Sequence, residues 1–271
     1  MNRIGPPVGE QKEAGEVGAP LAGAAHRILA GFHAIGARLR SDPGSIEVLY
    51  FDANRHDARM RQILARAAAA SVRCVAAQTQ RLQGLSPQAP HQGLVAQVRP
   101  RSGGPSLEQV LEAVSPRTLL LLLDGVTDPR NLGACLRTAA AAAVDAVVVP
   151  RDRSAALTTV AAKAAAGAAE IVPLIPVTNL VRAMKQMQDA GIWIVGADVQ
   201  ATSTLYEPDL TGPVAWALGA EGSGLRRLTR ERCDSLVRIP ICERIDSLNV
   251  SVAAGVCLFE TQRQRGQKNP G

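Results

Sequence analysis

The chain has 271 residues, enough for two modest domains that each bury a core of their own. Hydrophobic residues make up 46% and charged residues 20%, an ordinary globular composition, and no apolar run approaches the ~18 residues needed to span a bilayer, so a membrane role is excluded and a cytoplasmic protein is expected. The net charge of +6 is uneven: residues 25–100 hold ten arginines, no lysine and four acids, and carry the whole excess. Guanidinium groups grip phosphate in a bidentate way, so this third is either a solvated basic surface or an RNA-binding domain beside a nearly neutral one.

Residues 1–24 are polar and rich in Gly and Pro and read as a flexible tail without a signal peptide. Residues 25–98 read as a compact α/β unit. An amphipathic stretch around Ile28–Leu39 is followed by a strand at Ile46–Tyr50, a helix near Asp57–Ala70, a strand at Val72–Ala76 and a strand at Leu94–Val98. Residues 99–117 form a linker that opens with "RPRSGGP", a composition that predicts independent movement of the small domain, and includes a short helix at Ser106–Ala113.

From residue 118 to 264 strands and helices alternate. Strands are predicted at Leu119–Leu123, Ala146–Val149, Ile171–Pro173, Ile192–Val195, Val214–Leu218 and Leu236–Ile239. Helices are predicted at Leu132–Ala143, Ala155–Ala166, Leu180–Asp189 and Leu248–Gln264, with residues 265–271 as a tail. Short apolar strands without polar alternation imply a parallel sheet covered on both faces, and such sheets bind ligands beyond the carboxyl ends of their strands.

Three loops at that end carry chemistry-bearing residues. In "LLLLLDGVTDPRNLGACLRTA", Asn131 stands where a helix N-cap is expected, and Arg137 follows within two turns; a capped helix with a surface arginine is the plain structural alternative. In "WALGAEGSGLRRLTRERCD", an apolar strand runs into Gly219-Ala220-Glu221-Gly222-Ser223-Gly224, where glycines let a ligand approach the backbone and Glu221 stands alone among small residues. In "VRIPICERIDSLNVSVAAGVCLFE", Ser247-Leu248-Asn249 open the last helix, and Ser247 is also readable as an ordinary N-cap. The G-x-G-x-x-G of a dinucleotide fold is absent, which argues against a nucleotide-dependent oxidoreductase. The five cysteines are odd in number and lack C-x-x-C spacing, so they read as buried apolar residues and not as metal ligands.

Taken together and in this order, the three loops resemble the signature motifs of the SpoU (TrmH-like) family of RNA ribose 2′-O-methyltransferases, from about Leu119 to Phe259. The phrases "LDGVTDPRNLGACLRTA", "VPRDRSA", "VPLIPVTNL", "IWIVGAD" and "RRLTRERCD", with "HQGLVAQV" upstream, are similar to a subgroup that methylates a guanosine of 23S rRNA. The resemblance implies an α/β fold with a trefoil-knotted C-terminal methyltransferase domain built on a parallel sheet, preceded by a small L30-like RNA-binding domain. It implies a homodimer that acts on 23S rRNA or a pre-ribosomal particle, with S-adenosylmethionine as cofactor and no metal. By motif position, Gly219, Ile239 and Leu248 contact the cofactor, while Asn131, Arg137, Glu221, Ser247 and Asn249 form the catalytic set. Alternatives are the same reaction on tRNA or another rRNA site, and, in a different class, a non-catalytic RNA-binding ribosome assembly factor.

Transfer of a methyl group to a ribose 2′-OH requires removal of a poorly acidic proton. All four histidines (His26, His33, His56 and His91) lie in the first 91 residues, so the catalytic part contains none. A guanidinium stays protonated, so Arg137 is expected to clamp the target phosphate and stabilise charge on the 2′-oxygen, with the proton passing to water or to Glu221 if burial raises its basicity. Asn131 is expected to orient substrate or Glu221, and Ser247 and Asn249 to shape the loop. Where relatives carry small residues before "SLN", this chain has Glu243, Arg244 and Asp246, which puts the conformation of that loop in question.

Overall fold

The computed structural model describes residues 26–87, 90–99, 104–242 and 244–268. The expected tail at 1–24 and most of "RPRSGGP" lie outside them. The first unit contains β1 (Arg27–Ala30), α1 (Phe32–Ser41), β2 (Ile46–Asp52), α2 (Ala58–Ala69), β3 (Cys74–Ala77), α3 (Thr79–Leu85) and β4 (Leu94–Val98). Its four strands run in the order β1-β4-β2-β3, with only the β2–β3 pair parallel. The stretch read as one amphipathic segment is a strand and a helix. Gly31, at φ +84°, makes the corner between them, a backbone conformation that side chains with a Cβ resist. Helix α2 starts at an N-cap the sequence announces, Asp57, whose carboxylate accepts from the backbone N–H groups of Arg59 and Met60.

The second unit contains α4 (Leu107–Glu112), β5 (Leu119–Asp124), α5 (Pro129–Ala141), β6 (Ala146–Pro150), α6 (Thr159–Ala165), a 3-10 turn (Ala168–Glu170), β7 (Leu174–Val177), α7 (Leu180–Asp189) and β8 (Trp193–Ala197). It continues through β9 (Val214–Gly219), α8 (Arg227–Arg232), β10 (Ser235–Val237) and α9 (Val250–Lys268). Six parallel strands lie in the order β10-β8-β9-β5-β6-β7. The leucine run shows why both faces are covered: Leu119, Leu121 and Leu123 join the core beneath α5, α6 and α9, and Leu120 and Leu122 join the core on the α7 side.

Two expectations are corrected by the fold. The strand predicted at Ile171–Pro173 begins at Leu174 instead, because Ala168–Glu170 form a 3-10 turn that docks on the first unit. The last helix does not end at Gln264 but runs to Lys268. Arg265, read as part of a tail, is buried, and its guanidinium donates to the carbonyls of Arg117 (2.6 Å), Thr118 (3.0 Å) and Gly212 (2.7 Å). It thereby pins α9 beside the starts of β5 and β9, while Trp216 Nε1 donates to Thr261 Oγ1 (2.9 Å) deeper in the core. The expectation of an independently moving small domain also meets a contact: Arg38, fully buried on α1, pairs with Glu170 of the second unit at 2.5 Å.

Candidate active site

The segments that follow β8, β9 and β10 at the carboxyl end of the sheet line a cleft of about 710 Å3. That volume is in the range of small-molecule and cofactor sites. Its wall includes Leu218, Gly219, Glu221, Ile239, Ser247 and Leu248. All three residues expected to hold a cofactor, Gly219, Ile239 and Leu248, therefore line one cavity, together with Glu221 and Ser247 from the expected catalytic set.

The glycine-rich wall is fixed by its own backbone. After β9, Ala220 and Gly224 exchange backbone hydrogen bonds (3.2 and 2.9 Å), closing a turn with Glu221 near its tip. Gly222 and Gly224 have φ of +79° and +65°, and a Cβ on Gly219 would lie 1.9 Å from the carbonyl carbon of Gly224. The turn is held down by a residue to which the sequence reading gave no role. Asp124, buried at the end of β5, accepts from the backbone N–H of Arg226 (3.1 Å) and from its Nε (2.6 Å), and pairs with its Nη2. Its position as the last strand residue before Gly125 was the available signal. Replacing Asp124 by Ala leaves that N–H and the guanidinium without their acceptor; a loss of about 1–3 kcal/mol in urea unfolding is expected.

Asn131, expected as an N-cap, is not one. Asp128 caps α5, accepting from Arg130 N (2.8 Å), and Pro129 occupies the first helical position, where a missing N–H costs nothing. The Asn131 side chain is thereby free. Its Nδ2 donates to Glu221 Oε1 (3.1 Å), and its Oδ1 accepts from Asn249 Nδ2 (3.0 Å), which also donates to Glu221 Oε1. Three residues 28 to 118 positions apart in the chain thus close a triangle at the cleft. Ser247 does not cap the last helix either: α9 begins at Val250, and Asn249 Oδ1 accepts from Ser251 N (2.9 Å). One amide therefore caps a helix and ties its loop to two others. Ser247 is exposed at the cleft.

Arg137 does not join this triangle. Six residues beyond Asn131, it lies roughly 240° further around α5. It is exposed and makes no ion pair or hydrogen bond among the described residues. Glu221 is also exposed, so the burial that would have strengthened it as a base is absent. Behind the site, burial and then the charge of Glu221 push the Cys135 thiol up to about 12, which keeps it protonated and inert. The sequence reading missed a second pair at the cleft, Asp198 after β8 with Arg230 of α8 (2.5 Å). Arg244 and Asp246 of the divergent loop are both exposed and do not pair with each other, and Asp246 lines the cleft; Glu243 lies outside the described residues. No cluster of metal-ligating side chains occurs among the described residues, and none of their helices is long and apolar enough to cross a membrane.

The cleft combines main-chain polar groups, apolar side chains and charged side chains of both signs. Main-chain groups of the Gly219–Gly224 turn lie with apolar Ile239 and Leu248, and the acids Glu221 and Asp246 share the lining with Arg227 and the Asp198–Arg230 pair. No glycine fingerprint for a pyrophosphate accompanies them.

Comparison with known proteins follows the same two units. Residues 118–259 match the model of the SpoU rRNA Methylase family, and residues 28–103 match that of RNA 2′-O ribose methyltransferase substrate binding. The chain is 52% identical over 239 residues, covering 88% of it and 96% of the relative, to a 23S rRNA (guanosine-2′-O-)-methyltransferase, RlmB, of Ralstonia nicotianae. Among solved structures it is similar to an RNA 2′-O ribose methyltransferase, at TM-score 0.72 and 26% identity over 89% of each chain. It also shares the fold of the SpoU methyltransferase AviRb from Streptomyces viridochromogenes in complex with the cofactor AdoMet, at TM-score 0.70 and 24% identity, covering 89% of this chain and 90% of that one.

Proposed function

The chain belongs to the SpoU rRNA methylase family, and from that premise we infer that it methylates the ribose 2′-oxygen of a guanosine in 23S rRNA with S-adenosylmethionine as donor. The observation that carries this reading is the meeting of three distant loops, through Asn131, Glu221 and Asn249, at the rim of a cleft of cofactor size. The cofactor, when bound, supplies an electrophilic methyl carbon on a sulfonium. Gly219, Ile239 and Leu248 hold it through main chain and apolar contact, and the acidic side chains at the cleft favour the cation over the neutral thioether product. Asn131 and Asn249 fix the Glu221 carboxylate toward the substrate side, and Ser247 shapes the wall beside it. The 2′-hydroxyl has to lose its proton as it approaches in line; with Glu221 exposed, the proton passes to water or to that carboxylate. Glu221→Ala is expected to lower kcat about 100-fold, a larger effect than any weakening of cofactor binding. Unchanged turnover would remove Glu221 from the mechanism.

The basic first unit presents the RNA, as an L30-like domain does, and the C-terminal segment threads through a loop as a trefoil knot. In support of the knot, the segments after β8, β9 and β10 converge on one cleft and the chain then returns as α9 against α5. We also place the protein as a cytoplasmic homodimer. On α9, Val252 and Phe259 are half exposed in one stripe with Val256, and Gly255 on that helix sits beside Thr138 of α5. Arg137 lies next to Thr138, so a second copy docked on this face would bring its arginine toward the neighbouring cleft.

The test is methyl transfer from labelled S-adenosylmethionine to undermethylated 23S rRNA, to 16S rRNA and to tRNA, with the product mapped by mass spectrometry. A single 2′-O-methylguanosine in 23S rRNA is expected. Label on tRNA alone would overturn the substrate while keeping the chemistry. No label on naked RNA but label on a pre-ribosomal particle would identify the assembled particle as the substrate.

A further inference from the structure

Two of the ten arginines in the basic domain, one of them fully buried, are engaged by a carboxylate of the other unit. Arg38 is fully buried, with Nη2 at 2.5 Å from Glu170 Oε2, and Arg27 Nη1 approaches the other carboxylate oxygen at 3.2 Å. Glu170 is 2% exposed and belongs to the methyltransferase unit, so a carboxylate of one domain is enclosed by two guanidinium groups of the other. The backbone joins in: Ser41 Oγ donates to the Glu170 carbonyl at 3.2 Å. Arg38 is itself aimed by Ser45, whose Oγ accepts from Nη1 at 3.0 Å.

The turn that presents Glu170 is shaped for this contact. Gly167 has φ +90°, and a Cβ there would meet the His33 carbonyl oxygen at 2.7 Å. A side chain at this position would therefore strain the turn and push the domains apart. On its other side the turn reaches the catalytic helix, because the 3-10 turn packs against α5, and α6 lies almost backbone to backbone on it. A Cβ on Gly133 of α5 would fall 2.4 Å from the Ala161 carbonyl oxygen of α6. Helix α5 carries Asn131 and Arg137. An unbroken series of close contacts thus joins the basic domain to the helix that bears two of the proposed site residues.

We propose that Glu170 and Arg38 are positioning residues for the methyl-transfer reaction: their buried pair locks the RNA-binding domain to the methyltransferase domain, so that bound RNA meets the cleft at a fixed span. This deepens the proposed function and rests on the reading of the first unit as the RNA-binding one. Buried ion pairs often add little net stability, because both charges lose their hydration, and their best-attested use is to fix register between packed elements. A register between two domains is what this pair fixes. When the lock is broken, the basic domain is held by the chain itself, helped by the Ser41 hydrogen bond and the packing of the turn on α1. The second half of the RNA contact then becomes a tethered event with a lower effective concentration.

The full-length variants Glu170→Gln and Arg38→Met test this by three readouts: solution X-ray scattering, cofactor affinity by calorimetry, and steady-state kinetics on 23S rRNA. The expected result is a larger radius of gyration and a KM for RNA raised about tenfold or more, with kcat and cofactor affinity within about twofold of the parent. A merely structural role would lower cofactor affinity and kcat together with any change in KM, and that outcome would overturn the proposal. So would scattering profiles and KM that match the parent in both variants. If Glu170→Gln fails to fold, Arg38→Met, which leaves the methyltransferase unit untouched, decides by the same readouts. Should the parent protein methylate no RNA, the functional reading falls, while scattering still decides whether the pair locks the domains.

Discussion

Arg137→Ala is expected to lower the rate of methyl transfer by about 10²–10³-fold while leaving cofactor affinity unchanged, measured by single-turnover kinetics and calorimetry. The size of the effect follows from what the side chain can do. A guanidinium cannot act as a base at neutral pH, but it can hold the phosphate next to the target ribose and stabilise negative charge as the 2′-hydroxyl gives up its proton. Arg137 is exposed and makes no ion pair or hydrogen bond among the described residues, so its charge is available to RNA and its loss leaves no buried partner behind. It also stands away from the cleft on α5, outside the Asn131–Glu221–Asn249 triangle. Mixing Arg137→Ala with Glu221→Ala protein therefore distinguishes two placements. Activity regained in mixed dimers means that the arginine serves the neighbouring cleft. No regain beyond the sum of the two variants means that it serves its own.

Gly219→Ala is expected to abolish measurable cofactor binding, a loss of at least about 100-fold in Kd, and with it activity on any RNA. The added Cβ would lie 1.9 Å from the carbonyl carbon and 2.1 Å from the carbonyl oxygen of Gly224. Both are backbone atoms, and they sit in a turn already closed by hydrogen bonds and stapled to Asp124 through Arg226. Backbone so constrained cannot yield as the end of a flexible side chain can, so the turn must open. Gly266→Ala is the matching control, because a Cβ there meets nothing within 4 Å and the position is helical. It should leave cofactor binding unchanged and stabilise the fold slightly, by about 0.5–1 kcal/mol. Equal losses in both variants, measured by calorimetry with S-adenosylmethionine, would sink the argument from the turn.

Much of this protein could be read from its residues in order. The parallel sheet was legible because strands buried on both faces cannot alternate polar with apolar, and Leu119–Leu123 is a run of that kind. Helix α7 was legible to the residue, Leu180–Asp189, since Asn179 caps it and Gly191 follows its end. The motif loops were legible as the source of a site because ligands gather beyond the carboxyl ends of parallel strands. Position along the chain also settled that no histidine lies in the methyltransferase unit.

What the chain order could not contain is which side chains meet. Whether Asn131 caps its own helix or reaches Glu221 depends on Asp128 and Pro129 having taken the helix start, and on two further loops arriving beside it. Asp124 looks like any polar residue at a strand end until Arg226, 102 positions later, folds back onto it. The fate of Arg265 is similar: in sequence it belongs to a charged terminus, and in the fold three carbonyls just before the strands β5 and β9 draw it inward. Glu170 shows the difference most plainly. Local pattern ends a helix and begins a strand around it, but only the packing of α1 against the 3-10 turn removes water from its carboxylate. Burial makes a charge costly unless a partner is at hand, and Arg38 and Arg27 come from a different domain. Sequence determines the periodicities, caps and motif chemistry, because these depend on neighbours along the chain. Tertiary structure alone decides desolvation and pairing, because these depend on neighbours in space.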